Sequence, residues 1–220
     1  MIPAMLTTLS MLGAAYAASV QPVLATGGCA SINSYSPQTG SAENFFLAAT
    51  GCVNVTAPDQ ACPIEGFAQT SVVLQAAGVT GISEGYIAIG SSPKAKDPMF
   101  CNDAASSLLQ GLVQMGENAY TPEPLSIAST PEAALLMWGA PADAIIPVEF
   151  YHHYVDGVQQ DGLFIGANNV TTWAISEHAD PDATLSYWSP RLLVPGSQNP
   201  VTGAPLEADE LVTYIKVAYF

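Results

Sequence analysis

Residues Ile145–Ser176 read IIPVEFYHHYVDGVQQDGLFIGANNVTTWAIS. The first part, Ile145–Val155, is dense in β-branched and aromatic side chains, which suit a pleated, half-buried surface. Side chains alternate faces along a strand, so Ile146, Val148, Phe150, His152 and Tyr154 form one face and Glu149, Tyr151 and His153 the other. The first face reads as core and the second as a polar row. Asp156–Gly162 carries two Asp-Gly pairs and reads as a loop. Leu163–Ala167 and Val170–Ser176 read as shorter strands around Asn168-Asn169, residues that tolerate the positive φ of a two-residue hairpin turn. The stretch is expected to form a three-stranded antiparallel meander at the centre of a mainly β fold.

Upstream, Ser19–Thr26 reads as a strand that Pro22 confines to a sheet edge. Phe45–Ala49, Cys52–Thr56, Phe67–Ala77 and Tyr86–Gly90 are further strands, Phe67–Ala77 on its alternation. Downstream come Leu185–Trp188, Leu192–Val194 and a closing strand, Leu211–Phe220. Two segments depart from this pattern. Asp103–Gly116 spaces Ala105, Leu108, Leu109, Leu112 and Val113 as a helical stripe, with Asn102 or Asp103 as cap and Gly116 as terminator. Thr130 as cap, Pro131 at the first position and Glu132–Trp138 before Gly139 read as a second helix. Between them, 117–130, with Pro122 and Pro124, reads as a connector and a candidate domain boundary. The expected fold is an antiparallel sandwich or barrel with a two-helix insertion in the middle. The alternative is an α/β sandwich, for which strand–helix alternations are too few.

The chain opens MIPAMLTTLSMLGAAYAASV. An apolar run ending in Ala15-Tyr16-Ala17 has the form of a signal peptide with its cleavage site, although no Lys or Arg precedes it. Residues 1–17 are therefore expected to be removed, leaving one secreted domain, 18–220. Ala133–Val148 is interrupted by Pro141 and Asp143 and is too short to span a bilayer. The terminal LVTYIKVAYF contains Lys216 and lacks the form of a lipid-anchor signal. An extracellular protein without a membrane anchor is expected. Four basic residues, Lys94, Lys96, Arg191 and Lys216, face nineteen acidic ones, for a net charge of −15. Such a chain repels nucleic acid and anionic membrane surfaces. With 10% charged and 49% hydrophobic residues it is globular, not a disordered acidic tail.

Cys29, Cys52, Cys62 and Cys101 include no C-x-x-C pair, which disfavours zinc and redox roles. An even count behind a signal peptide implies two disulfides. Three connectivities are open, with Cys29–Cys52 and Cys62–Cys101 preferred. Asn54-Val55-Thr56 and Asn169-Val170-Thr171 are N-glycosylation sequons. Nothing in the sequence specifies an oligomeric state.

Several groups have chemical potential. His152 and His153 point to opposite faces of a strand and cannot share an ion. Glu149 and His153 lie about 13 Å apart along it, so catalysis by either needs partners from another strand. Gly81-Ile82-Ser83-Glu84-Gly85 matches G-x-S-x-G, the turn that exposes a nucleophilic serine in small secreted esterases. Asp143 or Asp156, and then His178, follow in the order of a triad. The context departs, because Tyr86–Gly90 reads as a strand where a helix should follow. A carboxylate pair drawn from Glu149, Glu177 and Asp180 is a second hydrolytic set. Glu177, Asp180 and Asp182, beside His178, form an acidic loop suited to calcium, without the glycine and distal glutamate of an EF-hand. No other cofactor is implied. Trp173, Trp188 and Tyr151 would stack on sugar rings if exposed, and are core aromatics otherwise.

Three functions compete: a non-catalytic domain binding a cell-wall polysaccharide or an extracellular protein, a secreted hydrolase, and a structural protein without a ligand. The first is preferred, because no catalytic set combines geometry with context.

Overall fold

The computed structural model describes residues 19–54, 57, 60–74, 84–90, 97–104, 108–116, 119–129, 134–139, 145–179, 186–198, 203, 205–207 and 209–220. The strands in chain order are β1 (Val20–Leu24), β2 (Tyr35–Ser36), β3 (Ser41–Asn54), β4 (Gln69–Leu74), β5 (Glu84–Gly90), β6 (Met99–Asn102), β7 (Leu109–Gly116), β8 (Ala119–Ala128), β9 (Leu136–Trp138), β10 (Ile145–Pro147), β11 (Glu149–Val155), β12 (Val158–Gln159), β13 (Phe164–Gly166), β14 (Thr172–Ala179), β15 (Ser186–Leu192) and β16 (Leu211–Tyr219). A 3-10 turn, Gly28–Ser31, is the one helical element among the described residues.

The sheet closes on itself because β3 is paired along both edges, with β6 on one and with β2 and β16 on the other. Its first residues pair with β6, and Phe45–Asn54 pair with β16. From β16 the order runs β14, β15, β5, β9, β8, β7 and β6, back to β3. That ring has nine members, each antiparallel to the next, and strands of alternating direction close only in even number. The conflict is resolved at β5, where one edge is divided between two partners. Its end pairs with β15 (Tyr187↔Gly90, Trp188↔Ile89) and its start with β9 (Gly85↔Trp138, Tyr86↔Met137). A direct antiparallel bridge, Leu135↔Arg191, joins β15 to the residue before β9. The closed barrel therefore has an even circuit of antiparallel strands with β5 wedged into its wall.

Apolar side chains fill this barrel, among them Phe45, Leu125, Trp138, Phe150, Trp173 and Ile215. β16 displays the period-two pattern directly, with Leu211, Thr213, Ile215 and Val217 buried and the alternate residues half-buried. The indole Nε1 of Trp173 donates to the Ile165 carbonyl at 3.1 Å.

The mainly β, antiparallel expectation holds in barrel form, but the two-helix insertion and the α/β alternative do not. The end of the first expected helix is β7, in which Leu109, Gly111 and Val113 are buried and Gln110 and Leu112 half-buried. A glycine inside a helix costs about 1 kcal/mol relative to alanine. In the strand, Gly111 packs under Leu125 and Met99, which would lie in ordinary contact, 3.4–3.5 Å, with a Cβ there. The end of the second expected helix, Leu136–Trp138, is β9; 105–107 and 130–133 lie outside the described residues. The expected connector is β8. Pro122 and Pro124 pair with β7 along one edge only, where a residue without an N–H is tolerated.

The meander is half as expected. β11 pairs with β13 (Glu149↔Gly166, Phe150↔Ile165, Tyr151↔Phe164), but β16 lies between β13 and β14. Asn168 and Asn169 do form the tight turn, with φ of 52° and 61°. Ala167 and Val170 exchange both backbone hydrogen bonds across it, at 3.0 and 2.9 Å. Asp156-Gly157 is a second such turn, with φ of 51° and 77°, so a β11–β12 hairpin replaces the expected loop. β1 is an edge strand, as Pro22 requires. Ala25 N donates to Phe150 O at 2.8 Å, so by alternation Pro22 directs its missing donor away from β11.

The disulfides are Cys29–Cys101 and Cys52–Cys62, not the preferred pairing. The 3-10 turn lies against the end of β6, where Cys29 N donates to Asp103 Oδ1 at 3.2 Å, and this brings Cys29 to Cys101. Gly166 is a second point of close approach. A Cβ there would lie 2.0 Å from the Val170 carbonyl oxygen, a backbone atom that moves only with the whole turn. Gly166→Ala is expected to cost about 1–3 kcal/mol by overpacking, read as a lower denaturant midpoint at unchanged slope.

Candidate functional site

β11 carries the expected polar row, but its two faces exchange roles along the strand. Phe150 faces the barrel core, while further along the same face His152 and Tyr154 emerge half-exposed where the core ends. On the other face Tyr151 and His153 are buried. His153 is 2% exposed. Its ring stacks on Phe164 at 3.6 Å and meets the edge of Tyr214 at 4.7 Å. Its Nε2 lies 2.8 Å from Thr171 Oγ1. Glu149 and Tyr151 grip the hairpin turn. The Tyr151 hydroxyl donates to Glu149 Oε2, Asn168 N donates to the same carboxylate at 2.9 Å, and Asn169 N donates to Tyr151 Oη at 2.8 Å. Burial and the adjacent carboxylate push the Tyr151 hydroxyl well above its ordinary value, so it stays a donor. Glu149 and His153, candidates for one catalytic set, are thus engaged with different partners in structural contacts.

Burial lowers the His153 pKa from 6.5 to about 4. Between these values the unfolded chain binds more protons than the folded one. The stability conferred by a neutral His153 is complete above about pH 6.5 and declines as pH falls toward 4, by up to about 3 kcal/mol. The melting temperature is expected to drop between pH 7.5 and 4.5, and the drop to shrink in His153→Phe.

The remaining sequence candidates are dispersed. Ser83, Asp143, Asp180 and Asp182 lie outside the described residues. Tyr86–Gly90 is part of β5, so the serine motif leads into a strand. Glu177 and His178 belong to β14, paired with Trp188 and Tyr187, where a loop was expected. Asp156 sits in the β11–β12 turn. Among the described residues no group of three or more His, Cys, Asp or Glu side chains is placed to hold a metal. Trp173 and Tyr151 are 0% and 1% exposed, and Trp188, 7% exposed, packs on Phe67. Their ring faces are covered, so of the two readings they are core aromatics and offer no surface to a sugar. Asn169 is exposed on its turn, and Asn54 ends β3 with its Oδ1 accepting from Ala57 N at 3.1 Å.

Among the described residues the most desolvated charges are Arg191 and Glu210, 2% and 1% exposed and paired at 2.9 Å. Arg191 also donates to Ser197 Oγ at 2.7 Å and to the Pro205 carbonyl at 3.1 Å. Glu210 accepts from Ser176 Oγ at 3.0 Å and Glu207 N at 2.8 Å. Burial alone would raise the Glu210 pKa. The Glu207 N–H, Arg191 and Ser176 together outweigh it and hold the carboxyl below its usual value. This pair fastens the segment between β15 and β16 to the barrel wall.

Among the described residues, a cleft of about 510 Å³ is shaped to receive a ligand where the core runs out between β11, β12 and the end of β16. Leu163 and Val217, both core residues, form its floor. His152, Gln159, Lys216, Asn33 and Tyr219 line it above. The β11–β12 hairpin sets Gln159 opposite Tyr154. Tyr154 Oη donates to Gln159 Oε1 at 2.9 Å, and Gln159 Nε2 lies 3.2 Å from His152 Nδ1. Asn33 N donates to Tyr219 Oη at 3.0 Å. Lys216 crosses Gly162, where a Cβ would lie 2.1 Å from its Cε. Its Nζ is 3.7 Å from Asp161 Oδ2. Sequence reasoning missed this cleft. The Asp156-Gly157 pair was its one local signal, since a tight turn there places Gln159 beside His152 and Tyr154.

Compared with known families and curated proteins, the chain matches no family model and no curated protein. No helix among the described residues is long and apolar enough to cross a membrane.

Proposed function

We propose that the chain is a secreted, non-catalytic domain that binds at an extracellular surface through the cleft beside β11 and β16. The carrying observation is the cleft itself. Its volume, about 510 Å³, falls in the range of small-ligand sites, and it joins an apolar floor to a few fixed polar groups. Those groups hold one another in place: Gln159 is fixed by Tyr154 and His152, and Tyr219 by the Asn33 backbone. The amide next to His152 cannot exchange a proton with it as a catalytic acid or base would. Two disulfides support an oxidising compartment, as does the leader-like segment 1–17. Glycans on Asn54 and Asn169 belong to the same reading.

The test is co-sedimentation of the mature chain with insoluble chitin, β-glucan and intact cell walls, with hydrolysis assayed in parallel. Retention on at least one surface, without release of reducing ends or ester cleavage, is expected. Turnover of either kind, or no retention on any surface, would overturn the reading.

A further inference from the structure

We infer that the cleft takes an uncharged, hydroxyl-rich ligand, a short segment of neutral oligosaccharide, and that Tyr219, Gln159 and His152 are its contact residues. This rests on the proposed binding role and goes further by assigning the ligand class and the residues.

Charge decides first. The chain carries −15, so an extended polyanion is repelled as it approaches, by the same long-range field that excludes nucleic acid. At the rim of the cleft the Lys216 ammonium lies 3.7 Å from the Asp161 carboxylate, which is fully exposed. The two opposite charges leave no net positive charge at the rim for an anionic ligand to pair with. A hydroxyl can accept from the ammonium and donate to the carboxylate together, and needs neither charge displaced.

The other lining groups share this character. Gln159 brings an amide, with a donor and an acceptor end, to the imidazole of His152, and the Tyr154 hydroxyl orients it. Adjacent hydroxyls on a pyranose present donors and acceptors at similar spacing. Tyr219 is 42% exposed, and its hydroxyl is held by Asn33 N, so an aromatic surface is offered in a fixed position. The apolar C–H face of a sugar ring fits such a surface. Leu163 and Val217 close the bottom with hydrocarbon. Lys216 passes over Gly162, whose φ of +105° and lack of a side chain leave that path open. The groups are therefore held before a ligand arrives, which lowers the ordering cost of binding.

The test is a set of titrations of the mature chain with chitohexaose, laminarihexaose, cellohexaose and, as the charged comparison, oligogalacturonate. At least one neutral hexasaccharide should bind more tightly than oligogalacturonate. Tyr219→Ala and Gln159→Ala should each weaken that binding at least tenfold at unchanged melting temperature. Tyr120→Ala, at a 55% exposed position on β8, should leave it unchanged. Equal affinity in the cleft variants and wild type would overturn the assignment of residues. Preference for oligogalacturonate, or no binding of any neutral oligosaccharide, would overturn the ligand class. Retention on cell walls in either case would leave the broader binding role standing, so the two failures are distinguishable.

Discussion

Arg191→Met is expected to destabilise the fold by about 3–5 kcal/mol, the range for removing one partner of a buried ion pair. The variant would take the Arg191 guanidinium away from Glu210, 1% exposed, which keeps the Ser176 hydroxyl and the Glu207 N–H. In the wild type those two groups and Arg191 outweigh the burial that would raise the Glu210 pKa. Without Arg191 the balance shifts toward burial and the carboxyl takes up a proton more readily. The loss should therefore be largest at neutral pH and shrink as pH falls through the carboxylate range. In the wild type the sign is opposite. A depressed Glu210 contributes stability above its unfolded pKa and loses it as pH falls through the folded one, which adds to the acid sensitivity of His153. Arg191→Met combined with Glu210→Met should recover much of the loss, because apolar replacement of a whole buried pair is often neutral or better. Urea midpoints at pH 7 and pH 5 for both variants check this. A single-variant loss under about 1 kcal/mol would mean that water reaches the pair.

Removing the Cys29–Cys101 disulfide, as Cys29→Ser with Cys101→Ser, is expected to cost about 4 kcal/mol on the chain-entropy estimate, against about 3 kcal/mol for Cys52–Cys62. The difference follows from loops of 72 and 10 residues. Cys29 and Cys101 are also fully buried in the barrel core, whereas Cys52 and Cys62 are half-buried. Two serine hydroxyls would replace core sulfur, so the first cost should exceed the entropic figure. Equal losses, or a larger loss from the short loop, would contradict this. Mapping of unreduced peptides should recover the Cys29–Cys101 link.

The local geometry of the chain was legible wherever a short-range rule governed it. Asn168-Asn169 forms a turn because both residues tolerate positive φ, and Pro22 marks an edge because it lacks an N–H. The barrel as a whole was not legible, because its closure depends on partners far apart in sequence. β16 inserts between β13 and β14, and β3 pairs with β2, β6 and β16. The false helix at Asp103–Gly116 arose because Leu108, Leu109, Leu112 and Val113 satisfy a helical spacing while Leu109, Gly111 and Val113 satisfy a strand; Gly111 was the discriminating residue. At the site, strand alternation correctly separated His152 from His153. It placed Val148 and Phe150 on the core face but could not show that the other face is covered as well, since that is set by Phe164 and Tyr214 closing over His153. The cleft depends on Asn33, His152, Gln159 and Lys216 arriving from four separate segments, and no local pattern encodes that meeting.

The most direct test of the account is a heteronuclear NMR titration of the mature chain with the neutral oligosaccharide that binds best. The account predicts backbone shifts confined to residues 31–33, 152–162 and 216–219, around the cleft. Shifts centred elsewhere on the barrel, as around Tyr120 on β8, would contradict it.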